Sequence, residues 1–463
     1  MNLAGKQAVI LGLGVSGLSM ARWLARRGAR VRVLDSRDAP PCAAQLAREL
    51  PQAQILAGEF REENFRGAEL IAISPGIPTT QPLVAQVAKR GVPVVGDIEL
   101  FAQALPALGP VKVLAITGSN GKSTVTEMTG AMCRAAGLMT MVAGNIGLPV
   151  LDALQQAEQD AAGGARRTEA FVLELSSFQL ETTSSLQPHV AACLNLSEDH
   201  LDRYASMEAY ARAKARIFRG TGVQVLNRQD AWTVGMALAN RRVLTFGLDQ
   251  PTNECDWGLT RREGQTWLAQ GEQKLLALSE LRVTGLHNAA NALAALALTR
   301  AIDLPYQPLL QTLTRFEGLP HRVQKVAQVG GVSFYDDSKG TNVGATVAAL
   351  TGMPQKVVLI AGGDGKGQDF APLKAAVIGR AHGLVLIGRD RELIARAVDG
   401  SGVTLLRAQD MDEAVRLAFK LAREGDAVLL SPACASFDMY RNYEHRAQVF
   451  VASVLKLAEE AQA

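Results

Sequence analysis

No stretch of this 463-residue chain approaches the roughly 20 uninterrupted apolar residues that cross a bilayer. The longest candidate, Ala289 to Ala301, carries Asn291 and Arg300 and reads as a buried helix. The first residues, Met1 to Lys6, lack the basic-then-apolar layout of a secretory leader and run straight into a strand-like segment. A surplus of one charge is also missing. Lys and Arg total 48 against 45 Asp and Glu, a net +3 spread along the chain, which argues against nucleic acid and against a membrane surface as partner. Cysteine is scarce: Cys42, Cys133, Cys193, Cys255 and Cys434 stand far apart, with no zinc or redox spacing, as expected of free thiols in a reducing, cytoplasmic setting. No repeat recurs at a period of about 20–50 residues.

What is present is ordinary globular material, 48% hydrophobic and 20% charged. At roughly 150 residues per domain, the length suggests about three domains. In the first hundred residues short apolar runs alternate with helical patterns. Gln7 to Leu11, Arg30 to Leu34, Glu69 to Ile73 and Pro93 to Val95 read as strands, and Gly17 to Arg27 as a helix. Such alternation predicts a parallel sheet wrapped by helices. The stretch Ala104 to Pro110 breaks it, and a second unit opens with the strand Val113 to Ile116. Leu244 to Leu276 looks like antiparallel hairpins, and an Ala/Leu-rich helix starts near Asn288. Beyond Phe316 to Pro320, strands near Val332, Val357, Gly383 and Ala427 make a third unit. The expected fold is α/β in three domains, 1–105, 106–318 and 319–463, each a mostly parallel sheet with flanking helices. The outer two are Rossmann-like and the central one is of the phosphate-loop type.

The sharpest motif is Gly118-Ser119-Asn120-Gly121-Lys122-Ser123-Thr124, between a strand and a helix. Backbone N–H groups of such a turn converge on phosphate oxygens, the lysine adds charge, and Ser123 or Thr124 can ligate Mg²⁺. The general pattern has a glycine where Ile116 stands, so the loop is shortened. A second Gly-rich turn, Gly12-Leu13-Gly14-Val15-Ser16-Gly17, is followed by Asp35 at the end of the next strand. That resembles a dinucleotide fingerprint. The unit ends after about a hundred residues, without the second mononucleotide half a nicotinamide domain needs, so a nucleotide-shaped ligand fits better than NAD.

Further candidates cluster at strand ends. Glu174 closes the strand Phe171-Val172-Leu173, where a carboxylate beside a phosphate loop meets the Mg²⁺ of a nucleoside triphosphate; a helix cap is the plainer alternative. His200, in Asn195 to Asp202, is either a second metal ligand or a hydrogen-bonded loop residue. Lys214 shares a helix face with Tyr210, Ile217 and Phe218 and is therefore expected to point inward. Burial would keep its amine partly neutral, and a neutral amine can take up CO₂ as a carbamate; a lysine snorkelling past its neighbours is the alternative. Asn288 and Asn291, at i and i+3, suit one planar group, although Asn288 also suits a helix cap. Polar clusters at Tyr335 to Asn342 and Gly362 to Lys366 each follow a strand, as site edges do in open α/β sheets.

Together these stretches resemble the Mur ligase family, the ATP-dependent amide-forming enzymes of peptidoglycan synthesis. The resemblance runs in order through TGSNGKST, LELSSFQLE, NLSEDHLDRY, AKARIF, HNAANALAA, GLPHR, DDSKGTN, GGDGKG and LSPACASFD. The start GLGVSGLS, Asp35-Ser36, Ser74-Pro75-Gly76 and Ser431 to Ser436 are similar to the members that join D-glutamate to UDP-N-acetylmuramoyl-L-alanine. The resemblance implies a cytoplasmic, monomeric ligase working through an acyl phosphate in cell-wall biogenesis, and so in cell shape and division. Val15, Ser16, Asp35, Ser36, Arg37 and Gly76 would hold the uridine nucleotide, with Asn145 and His200 at the muramoyl-alanine end. Lys122, Ser123, Glu174, His200 and a carbamylated Lys214 fall on phosphate and Mg²⁺ positions, two ions being implied. Asn288, Asn291, Arg322 and Asp337 match ATP contacts, and Thr341, Lys366, Ser436 and Phe437 the D-glutamate pocket. Lys122, His200, Lys214 and Arg322 are the implied catalytic set. Gly340, Tyr443 and Phe437 depart from the residues relatives often carry. The rival classes are an NAD(P)-dependent dehydrogenase and a phosphate-loop switch that hydrolyses nucleotide without ligation.

Overall fold

Parallel strands covered on both faces need unbroken aliphatic runs. The chain supplies them in Ala8 to Leu11, Val113 to Ile116 and Val357 to Ala361, all buried. In the computed structural model, which describes residues 3–283 and 285–461, they form three sheets in chain order. The first contains β1 (Gln7–Leu11), β2 (Arg30–Asp35), β3 (Gln54–Ala57), β4 (Leu70–Ile73) and β5 (Val94–Val95). Its order is β3-β2-β1-β4-β5 and every pairing is parallel. Strand order reverses beside β1, and there the Gly12–Gly17 turn leads into the helix Val15–Arg26. A Cβ on Gly17 would lie 1.8 Å from the Gly12 carbonyl oxygen, so only glycine lets helix and strand approach this closely. Gly17→Ala is expected to cost about 3 kcal/mol of stability. A denaturation midpoint equal to that of the parent protein would refute this.

The second sheet holds β6 (Lys112–Thr117), β7 (Thr140–Gly144), β8 (Ala170–Glu174), β9 (Val190–Cys193), β10 (Val223–Asn227), β11 (Val243–Phe246), β12 (Asp256–Arg262), β13 (Gln265–Gln270) and β14 (Gln273–Ala277). Its order is β14-β13-β12-β11-β10-β9-β6-β8-β7. The expectation of hairpins throughout Leu244 to Leu276 needs correction, because β11 pairs parallel with β10 and with β12. Connection length is the reason. Only Glu263-Gly264 and Gly271-Glu272 are two-residue links, with positive φ at Glu263, Gly264 and Gly271. Such tight links join antiparallel strands, and here they join β12 to β13 and β13 to β14. The third sheet comprises β15 (Gln324–Val329), β16 (Val332–Asp336), β17 (Val357–Gly362), β18 (Ala381–Ile387), β19 (Thr404–Arg407) and β20 (Ala427–Leu430). Its order is β15-β16-β20-β17-β18-β19, and β15 alone runs antiparallel, joined to β16 through the Gly330-Gly331 turn.

The first two units share a hydrophobic core. The helix Asp97–Ala104 lies against the second, with Phe101 edge-on to Phe171 at 5.0 Å. Glu99 accepts the Ser184 and Ser185 N–H groups at 2.6 and 2.9 Å, and Ser19 donates to Asp152 at 2.8 Å. Among the described residues, no helix is long and apolar enough to cross a membrane.

Candidate active site

Strand register sets the site. Ile116 of β6 pairs with Glu174 of β8, and Thr117 with Cys193 of β9, so three strand ends finish level. Ile116 belongs to the buried strand, which is why no glycine is needed there. The loop that follows turns at Gly121 (φ +82) into the helix Lys122–Ala135. A side chain at Gly121 would strike Asn291 Oδ1, 2.5 Å from its Cβ, so the loop fits directly against the asparagine pair. The first N–H groups of a helix have no acceptor within it and suit an anion.

Neighbouring segments fix the loop. The Asn120 N–H donates to Asn195 Oδ1 at 2.8 Å, and Asn195 Nδ2 donates back to the Asn120 carbonyl at 3.1 Å. Ser119 Oγ donates to the Ser197 carbonyl at 3.1 Å and accepts the Ser197 N–H at 3.0 Å. Three cations then converge on it. Lys122 Nζ donates to the Gly118 and Ser119 carbonyls, both at 2.9 Å. Lys214 Nζ donates to the Gly118 carbonyl at 2.9 Å and to Thr117 Oγ1 at 3.3 Å, and lies 4.7 Å from the centre of the Tyr210 ring. Arg322, from the third unit, donates to Ser123 Oγ at 2.9 Å. Burial pushes Lys122 below its ordinary value; it brings Lys214 to about 7, helped by the charge of Lys122. The inward lysine read from helix spacing is therefore present, 1% exposed.

The Glu174 carboxylate is close enough for its charge to be felt by all three cations. Its Oε1 accepts from Asn145 Nδ2 at 2.8 Å, while its Oε2 is buried without a hydrogen-bond partner. An orphaned carboxylate oxygen at a strand end level with the strand that leads into a phosphate loop fits a hard divalent cation. Among the described residues no three His, Cys, Asp or Glu side chains gather as a metal cage. Mg²⁺ suits such a place, since it keeps water and phosphate oxygens as most of its ligands. His200 sits at φ +57, its ring 4.7 Å from that of Phe178. Burial lowers its pKa to about 4, so the ring is neutral near pH 7 and keeps a nitrogen lone pair that a metal can use.

A cavity of about 290 Å³ opens between the second and third units, lined by Gly121, Thr124, Asn288, Asn291, Arg322 and Asp337 among others. Asn291 Nδ2 donates to Asn288 Oδ1 at 3.2 Å, which confirms their shared face. Asp337 accepts from Ser431 Oγ at 2.6 Å, and burial lifts its pKa to about 7. Of the other third-unit candidates, Ser436 is buried, Thr341 half-buried and Phe437 74% exposed. The Lys366 ammonium reaches back to Asp199 of the second unit at 2.6 Å.

The first-unit candidates gather at a different edge, past the ends of β1, β2 and β4. Val15 and Arg37 are exposed there. Asp35 is turned inward. Its carboxylate accepts the Leu13 N–H at 2.7 Å and both the N–H and the guanidinium of Arg37, which hold its pKa down at about 2. It organises the Gly-rich turn and Arg37.

Sequence reasoning missed Asp199, Asn195 and Asn342. Asn342 exchanges amide hydrogen bonds with Asn120 at 3.0 and 3.2 Å. All three lie within the motifs already singled out, but their partners are distant in sequence.

Comparison with known proteins agrees with this architecture. The Mur ligase MurD-like N-terminal domain matches residues 6–96, the Mur ligase middle domain 116–299 and the Mur ligase glutamate ligase domain 321–434. The UDP-N-acetylmuramoylalanine–D-glutamate ligase of Thiobacillus denitrificans is 58% identical, over 99% of this chain and 98% of the relative. That of Nitrosospira multiformis is 58% identical over 98% and 96%. Among solved structures, UDP-N-acetylmuramate-alanine ligase MurC of Thermotoga maritima shares the fold at 19% identity with a TM-score of 0.62, over 97% of this chain and 99% of that one. With family matches over most of its length and relatives this similar from end to end, the chain belongs to the Mur ligase family.

Proposed function

We propose that this chain is an ATP-dependent amide ligase that joins D-glutamate to UDP-N-acetylmuramoyl-L-alanine, in the cytoplasm where both nucleotides are supplied. One observation carries the chemistry: Lys122, Lys214 and Arg322 converge on a phosphate loop beside a carboxylate with an orphaned oxygen. The choice of substrates is supported by the full-length relatives that bear that name.

A carboxylate and an amine do not condense in water without activation. The γ-phosphoryl group of ATP passes to the alanyl carboxylate, giving an acyl phosphate and ADP. Lys122 and Arg322 offset the negative charge on the transferring group. The D-glutamate amine then attacks the acyl carbon, and the tetrahedral intermediate expels phosphate. Mg²⁺, when bound, supplies Lewis-acid polarisation of the phosphoryl oxygens. Ser123, Glu174 and His200 would hold two such ions, joined by Lys214 once its amine has taken up CO₂ and exchanged its charge for a carbamate. Asn288, Asn291 and Asp337 grip ATP. Val15, Ser16, Ser36, Arg37 and Gly76 hold the uridine nucleotide on the frame Asp35 builds, with Asn145 and His200 toward the reacting carboxylate. Lys366, Thr341, Ser436 and Phe437 receive D-glutamate. The uridine nucleotide thus falls mainly to the first unit with Asn145 and His200 from the second, ATP to the second with Arg322 and Asp337 from the third, and D-glutamate to the third.

Phosphate release is the test, with ATP and UDP-N-acetylmuramoyl-L-alanine in the presence and absence of D-glutamate. Release should require all three and match product one for one. Equal release without D-glutamate would instead identify a nucleotide hydrolase.

A further inference from the structure

Lys366 is the cation that the proposed function assigns to the amino-acid carboxylate, yet it already has an anionic partner within the chain. Its ammonium lies 2.6 Å from Asp199 Oδ1, and both side chains are largely shielded, 19% and 10% exposed. Asp199 is fixed from three sides. Its Oδ1 also accepts the His200 N–H at 3.0 Å, its Oδ2 accepts from Asn342 Nδ2 at 3.4 Å, and the His200 ring lies 3.6 Å away. Asn342 in turn bonds Asn120 of the phosphate loop and caps the helix Val343–Gly352 through the Ala345 N–H. Next to it, Glu198 Oε2 accepts the Asp369 N–H at 3.2 Å. So Glu198 and Asp199 of the second unit hold the two third-unit segments that carry Lys366 and Thr341.

A carboxylate placed this way sits beside the ammonium and repels a second carboxylate brought to it. We infer that Asp199 is a positioning and specificity residue of the amino-acid site: it aims Lys366 over the phosphate loop and competes with the substrate carboxylate for that ammonium. The inference rests on the proposed ligation of D-glutamate. The same contacts keep the third unit registered on the loop.

Asp199→Asn keeps an acceptor for Lys366 and removes the charge. The D-glutamate KM should fall roughly fivefold, the scale of a single ion pair, and kcat should fall with it because Lys366 is aimed less firmly. A merely structural role would raise KM instead. In a Lys366→Met background the same change should no longer lower KM. Titration calorimetry of D-glutamate into the protein with a non-hydrolysable ATP analogue and UDP-N-acetylmuramoyl-L-alanine reads affinity even where turnover is lost. An Asp199→Asn affinity equal to or weaker than that of the parent, or a KM decrease that persists without Lys366, would overturn the inference. If the parent protein itself shows no D-glutamate-dependent phosphate release, the functional reading falls first and takes this inference with it.

Discussion

Lys122→Ala should reduce ATP-dependent product formation by roughly 10³-fold or more, the scale on which single cationic groups act in phosphoryl transfer. Its ammonium is already gathered onto the loop by two carbonyl oxygens, so little reorganisation stands between this position and a phosphate oxygen. Burial makes the charge costly to hold alone, and a polyanion would relieve that cost. The edge proposed for the uridine nucleotide lies on another sheet, so calorimetric binding of UDP-N-acetylmuramoyl-L-alanine should survive the substitution. Full turnover by Lys122→Ala would remove the loop from the mechanism.

Lys214→Ala should be comparably inactive, and the reason can be separated by rescue. Lys214 has two describable roles: an amine tying the Gly118 carbonyl and Thr117, or, after taking up CO₂, an anionic oxygen ligand. A pKa near 7 leaves much of the amine neutral at physiological pH, as carbamate formation requires. Acetate or formate should therefore restore part of the activity of Lys214→Ala, whereas methylammonium should not. Rescue by the amine alone would assign Lys214 to the loop tie. Normal activity in the variant would dismiss the buried lysine altogether.

Much of this site is legible in the sequence because its parts are local. The phosphate loop needs a strand, a glycine turn and a helix in immediate succession, and Lys214 declares its orientation through neighbours three and four residues away. Asn288 and Asn291 are readable for the same reason. The rest depends on folding across long separations. Asp199 and Lys366 meet over 167 residues, and Asn120 and Asn342 over 222. Periodicity carries no record of such pairs. Asp35 shows the opposite limit: its position after β2 is evident, but only the fold reveals that Leu13 and Arg37 take up its oxygens. The hairpin reading at Leu244 fails because apolar patterning alone does not distinguish a parallel strand from an antiparallel one.

The helix Asp97–Ala104 has a practical consequence for taking the molecule apart. Ile98, Leu100 and Phe101 are buried on the neighbouring unit, and Asp97 and Glu99 bond to Gln179, Ser184 and Ser185 there. A fragment cut at residue 105 would carry that apolar face bare and tend to aggregate, while the remainder would be left with Phe171 uncovered. A cut after Gly96, where the N-terminal family match also stops, leaves the helix with the partner that solubilises it.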